Sequence, residues 1–120
     1  MKISYSQFDD TNKQFQLMDG IFEIEKDKNE KWLWTSTQFS GHILNVDTIT
    51  FSVHSEIPNT LLYENTSIQL HPKCLSVVKL KVTDKREFSL KLLNPYIVDG
   101  DDRVLGIKIV RILVDNDIIF

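Results

Sequence analysis

With 120 residues and a formal charge of −3, the chain has the size of one domain, offers no basic field to nucleic acid, and contains nothing near the roughly 18 apolar residues of a membrane span. One cysteine, Cys74, excludes an internal disulfide framework or a thiolate metal site and is expected as a packed small hydrophobe. The chain has no alanine, the best helix former; Ile, Val, Thr and Phe stand in its place, which points to an all-β fold.

The N-terminus, MKISYSQFDD, lacks the apolar core of a secretory signal, so a cytoplasmic location is expected. Ile3, Tyr5 and Phe8 sketch an edge strand, and Asp9 to Lys13 is polar turn material. Phe15 and Leu17 suggest a short second strand that ends before Asp19-Gly20. Gly20 opens GIFEIE, in which Ile21, Glu23 and Glu25 oppose Phe22 and Ile24. The charged run Lys26 to Lys31 reads as a solvated hairpin tip.

In KWLWT, Trp32 and Trp34 share one face and Leu33 takes the other. Two tryptophans so placed either anchor a core or form a platform for a sugar ring. Trp34 is assigned to the core, and Trp32, nearer the turn, is the one to expose. Phe39, Gly41 and Ile43 follow on one parity. The cleanest alternation is DTITFSVHS, with Ile49, Phe51 and Val53 inward and Thr48, Thr50, Ser52 and His54 outward.

Leu61 to Tyr63 is a short apolar patch, and TSIQLH forms the next strand. After Pro72-Lys73, Val78, Leu80 and Val82 oppose Lys79 and Lys81; in EFSLKLL, Phe88, Leu90 and Leu92 face in. Asn94 to Val114 closes the chain: Pro95 and Gly100 mark an exposed polar loop through Asp99, Asp101 and Asp102. A buried strand is expected from Val104, with Leu105, Ile107 and Ile109 on one face. Ile112 and Val114 resume on the opposite parity, which a one-residue bulge near Val110 reconciles. Short strands at about ten-residue intervals predict a single antiparallel β-sandwich of jelly-roll type spanning residues 1–120, with about eight strands.

Catalytic signatures are absent. His42, His54 and His71 lack short-range ligand spacing, and no phosphate loop, nucleophile elbow or zincin helix is present. The adjacent carboxylates Asp9-Asp10 and Asp101-Asp102 lie in turns and are not marked as an acid and a base. The Asp99 to Asp102 cluster lacks the length and closing glutamate of a calcium loop, and a solvated turn with Arg103 paired locally explains it. No cofactor, metal or enzymatic activity is expected.

Two segments carry a family resemblance. Gly20-Ile21-Phe22-Glu23-Ile24-Glu25, followed by Trp32-Leu33-Trp34-Thr35, is one; Asn94-Pro95-Tyr96-Ile97-Val98 with Asp102-Arg103-Val104-Leu105-Gly106-Ile107 is the other. Together they resemble a small β-sandwich module, galactose-binding-like or jelly-roll in type, found fused to bacterial glycosyltransferases and related transferases that build surface polysaccharides. The likeness covers about Gly20 to Val114, without the fused transferase. Within it, Gly106 would permit close backbone packing, Leu105 would fill the core, and Arg103 would tie the loop to Glu23 or Glu25.

The resemblance implies a non-catalytic carbohydrate-binding or accessory module in surface-polysaccharide synthesis. Trp32, Tyr63 and Tyr96 are its candidate stacking residues, with Asn94, Asp99, Asp101 and His54 as polar partners. The alternative is a structural domain that docks on a glycosyltransferase or on a second copy of itself as a homodimer, through its N-terminal strand or the end Asp117 to Phe120. A cross-strand histidine and carboxylate metal site ranks last.

Overall fold

The computed structural model describes residues 3–7 and 12–120; Phe8, Asp9 and Asp10 lie outside these. The described residues form ten strands, all paired antiparallel: β1 (Ile3–Gln7), β2 (Lys13–Lys26), β3 (Lys31–Leu44), β4 (Thr48–His54), β5 (Asn59–Tyr63), β6 (Thr66–Leu70), β7 (Leu75–Lys81), β8 (Glu87–Leu92), β9 (Lys108–Val114) and β10 (Asp117–Ile118). The fold is an all-β antiparallel sandwich that nearly closes into a barrel. It has two strands more than the sequence suggests, one of them the two-residue β10.

The long hairpin β2–β3 belongs to both layers. The first arm of β3 pairs with β9 at Leu33 and Trp34, and β9 continues to β4 and β7. Its second arm, Gln38 to His42, pairs with β8, which continues to β5 and β6. β1 forms an edge, paired to β2 from Ile3↔Leu17 to Gln7↔Lys13. The hairpin tip is closed by Asp27, whose carboxylate accepts the N–H groups of Asn29 and Glu30 at 2.9 Å each.

The core fills the space between the layers. Phe51 of β4 meets Phe39 of β3 edge-on at 6.0 Å and Phe88 of β8 at 6.3 Å, and Phe88 stacks on Phe15 of β2 at 5.7 Å. Strand β8 alternates exposed and buried along its whole length, as EFSLKL requires. In β4, Ile49, Phe51 and Val53 face the core as expected. The outward Thr50 and Ser52 are only 8 % and 9 % exposed, short side chains flanked across the ladders by Lys79 and Leu113 and by Val77 and Arg111.

Three sequence boundaries move. β2 runs through Gly20 rather than starting again there: a φ of +76° and register shifts between Leu17 and Ile24 absorb the break as bulges. β3 runs from KWLWT straight through Ser36 and Thr37 to Ile43. β9 begins at Lys108 instead of Val104, since Val104 to Ile107 is held to β3 by other bonds: Gly106 N–H to the Thr35 carbonyl at 2.7 Å, Thr35 N–H to the Ile107 carbonyl at 2.9 Å, and Ile107 N–H to Thr35 Oγ1 at 3.2 Å. Gly106 packs as tightly as expected, for a Cβ there would lie 2.4 Å from the Ser36 carbonyl oxygen. The bulge at Val110 is present: Ser52 pairs with Arg111 and Val53 with Ile109, which leaves Val110 unmatched.

Other expectations are corrected. Cys74 is exposed, because it sits in the turn before β7, next to Lys73 with φ +62°. Phe120 is buried in the core: the tail returns to β9 through the Ile112 N–H to Phe120 carbonyl bond at 3.1 Å and the Ile119 N–H to Ile112 carbonyl bond at 2.9 Å. The Asp117 to Phe120 end is therefore not a free hydrophobic arm, although Ile118 stays exposed.

Candidate binding cleft

The outer face of the β3–β9–β4 layer gathers the most varied chemistry. Trp32 and Trp34 leave β3 on this face while Leu33 enters the core. Lys108 opens β9 opposite Trp34 on one side and opposite His54 on the other. Its Nζ lies 5.3 Å from the Trp32 ring centroid and 5.2 Å from that of Trp34, so one ammonium serves two indole faces. Glu56 Oε1, 3.8 Å away, balances its charge.

Trp32 is half-buried, and its indole Nε1 is covered without a hydrogen-bond partner among the described residues. Trp32, His54, Glu56 and Lys108, with Glu30, Lys73 and Val110 at the rim, line a shallow cleft of about 250 Å³. That is just under the usual size of a small-molecule pocket, and its lining combines an aromatic flank with hydrogen-bond donors and acceptors.

Trp34 is buried as expected, at 7 % exposure, but on the outer face instead of between the layers. The loop from Leu93 to Ile107 covers it, and Tyr96 stacks on its ring at 5.8 Å with planes 25° apart. Tyr96 and Leu105 bond reciprocally, N–H to carbonyl at 2.7 and 3.0 Å, which closes the loop on itself and buries Leu105.

Two loop residues proposed for sugar contact are instead holding the loop. Asn94 donates from its side chain to the Pro58 carbonyl at 3.2 Å, while its backbone exchanges bonds with the Asn59 amide at 2.8 and 3.0 Å. Asp101 accepts from Arg103 N–H at 3.0 Å and from the guanidinium Nε and Nη2 at 3.0 and 2.8 Å. These bonds hold its carboxyl at about 2. Arg103 also reaches Glu25 Oε2 at 3.5 Å and lies 5.3 Å from the Phe22 ring, tying the loop to β2 as the sequence implied. Asp99 is exposed beside Gly100 in the turn.

Tyr63 is displaced from the candidate set. It is 8 % exposed and belongs to the core, with its hydroxyl donating to the Lys81 carbonyl at 3.3 Å, and its burial raises the phenol pKa. Only its edge reaches the surface, beside His42 and Glu64, away from the Trp32 cleft. Thus the structure brings Trp32 and His54 together, keeps Tyr96 alongside over Trp34, and separates the rest. Lys108, Glu56 and Lys73 were missed. Lys108 had a signal: it interrupts the apolar run LGIKIV and so must leave the core on the face of Trp34.

Among the described residues no group of three or more His, Cys, Asp or Glu is arranged to hold a metal ion. No helix is long and apolar enough to cross a membrane. The class defined by fold and site is an antiparallel β-sandwich with an aromatic and cationic cleft on its outer face. Comparison with known proteins found no matching family model, no matching curated protein and no matching solved structure.

Proposed function

We propose that the chain is a non-catalytic carbohydrate-binding module, an accessory to glycosyl transfer in bacterial surface-polysaccharide synthesis, and that it takes its sugar in the Trp32 cleft. The observation that carries this reading is the Trp32 indole, half-buried among His54, Glu56, Lys73 and Lys108 with its N–H unpartnered. A pyranose ring laid on that flank would place its hydroxyls against those polar groups. Tryptophan fluorescence and calorimetric titration against a panel of purified surface oligosaccharides test it. Binding that quenches fluorescence and is lost in Trp32→Ala is the expected result; no binding by any sugar would reject the reading.

A second reading has its own support. Leu93, Ile97, Val98 and Val104 expose aliphatic side chains on the β8–β9 loop, as a protein-docking surface would. Under this reading the domain contacts a glycosyltransferase or self-associates. Sedimentation equilibrium would then show a concentration-dependent dimer, or a transferase would co-purify, and changing Leu93, Ile97 and Val104 to Ser would abolish either.

A further inference from the structure

Strand β4 lies between β9 and β7, and its outward side chains, Thr48, Thr50 and Ser52, are short. Most of their cross-strand neighbours are longer, Arg111 and Leu113 on β9 and Lys79 and Lys81 on β7, while Val77, opposite Ser52, has the reach of a threonine. A low row between two tall ones is a groove about 10 Å across, two strand spacings. At His54 it runs into the Trp32 cleft, since His54 pairs with Lys108 on one side and Leu75 on the other.

The charge of this face departs from that of the chain. Overall the formal charge is −3, yet Lys73, Lys79, Lys81 and Arg111 are exposed here and make no ion pair among the described residues. Among the described residues Lys108 pairs with Glu56 at 3.8 Å and lies over the Trp32 and Trp34 rings. The cations follow the groove, Lys108 and Arg111 on one wall and Lys79 and Lys81 on the other, with outward residues along a strand about 7 Å apart. Leu75 and Val77, 55 % and 66 % exposed, add apolar surface to the β7 wall.

We propose that this groove binds an acidic polysaccharide, a chain with carboxylates on successive sugars, whose terminal ring stacks on Trp32. The proposal rests on the sugar-binding reading and adds to it the substrate class and the residues that select it. Exposed apolar wall residues suit sugar C–H faces, and the cations that form no ion pair among the described residues suit carboxylates; Thr50 and Ser52, only 8 % and 9 % exposed, set the depth of the row without serving as contact groups. A single-stranded nucleic acid would need aromatic platforms repeated along the path, and here the tryptophans stand only at one end.

The test is calorimetric titration of the intact chain with short oligogalacturonates and with the same oligomers carboxyl-reduced to neutral sugars, at low and at physiological salt. A single-stranded oligonucleotide and phosphatidylserine vesicles serve as competing polyanions. The uronate should bind about tenfold more tightly than its neutral counterpart, with the preference shrinking as salt rises. The exposed triple variant Lys79→Gln, Lys81→Gln, Arg111→Gln should lose that preference while keeping its thermal melt. Equal binding of uronate and reduced oligomer overturns this inference and leaves the sugar reading standing. Binding of neither overturns this inference, and the sugar reading falls with it only when the panel of surface oligosaccharides also fails to bind. Oligonucleotide or vesicle binding as tight as that of the uronate overturns the choice of a polysaccharide.

Discussion

Asp115 extends the β9–β4 ladder and ties it to β2, which pairs with neither strand. It sits after β9 with φ +53°, and its Oδ1 accepts the N–H groups of Asp47 and Thr48 at 3.0 Å each. Its other oxygen pairs with Lys13 of β2. Burial pushes the carboxyl up, but Lys13 and the Thr48 and Asp47 amides outweigh it, so the pKa lies below the ordinary range. Replacing Asp115 by Asn keeps an oxygen acceptor and a residue tolerant of positive φ but removes the charge; Ala removes all three. Hydrogen bonds to a charged group contribute about 1.5–3 kcal/mol each, and partial rehydration of the freed amides puts the Ala loss at about 2–4 kcal/mol. For a chain of this length 1 kcal/mol moves Tm by about 4 °C, so Asp115→Ala should melt roughly 8–16 °C lower and Asp115→Asn about half as far. Circular-dichroism melts at pH 7 read this directly. Because the folded pKa is depressed, the contribution is fully present above about pH 4 and fades as pH falls through the folded value. Asp115→Asn should therefore show a flatter stability profile in acid. An Ala variant melting within about 2 °C of the parent would refute the reasoning.

Other outcomes follow from the packing and the loop. Phe51→Ala should cost about 3–5 kcal/mol in urea unfolding, because its ring meets both Phe39 and Phe88. Gly106→Ala should cost about 1–3 kcal/mol, since its methyl would press on the Ser36 backbone oxygen, which has no flexible end to move; an unchanged melting curve would contradict that contact. The Asp101 carboxyl should titrate at about 2 by NMR, so its hold on Arg103 persists from neutral pH and is lost only as pH falls towards that value; a midpoint near the ordinary 3.9 would deny the pair. Deleting Val110 should leave a cooperatively folding chain, because the residues on either side keep their faces. Deleting Leu113 should not, because Val114 would then turn outward; equal damage from the two deletions, measured by thermal melts, would count against the bulge.

What the sequence revealed and what it hid have physical causes. Period-two alternation identified the inward residues of β4 and β8 because one face of each is apolar without exception. Arg103 reached Glu25, and Gly106 made its close approach, at the places the motif suggested. The continuity of β2 and β3 was hidden, because a glycine with positive φ and a polar pair such as Ser36-Thr37 look like breaks until a paired strand carries the chain through them. Tyr63 was misplaced despite a usable signal: it shares parity with Leu61, and both point inward. Trp34 is covered by a loop some sixty residues downstream, which local pattern cannot register.

The same irregularity that breaks the pattern of β9 also lays out its outer face. Lys108 and Arg111 are three residues apart, so a regular strand would send one of them into the core. The extra residue at Val110 restores the phase: Ile109 and Ile112 are both buried, while Lys108 faces His54 and Arg111 faces Ser52 on the outside. Bulges commonly redirect a side chain in this way. Without Val110 the two cations would be two residues apart and would still share the outer face, so the extra residue changes their spacing along the wall and not their side of the sheet. Val110 itself lines the cleft on one side and lies with Arg111, Ser52 and Leu75 in the neighbouring hollow on the other. The joint between cleft and groove is thus a backbone feature, written in one additional residue.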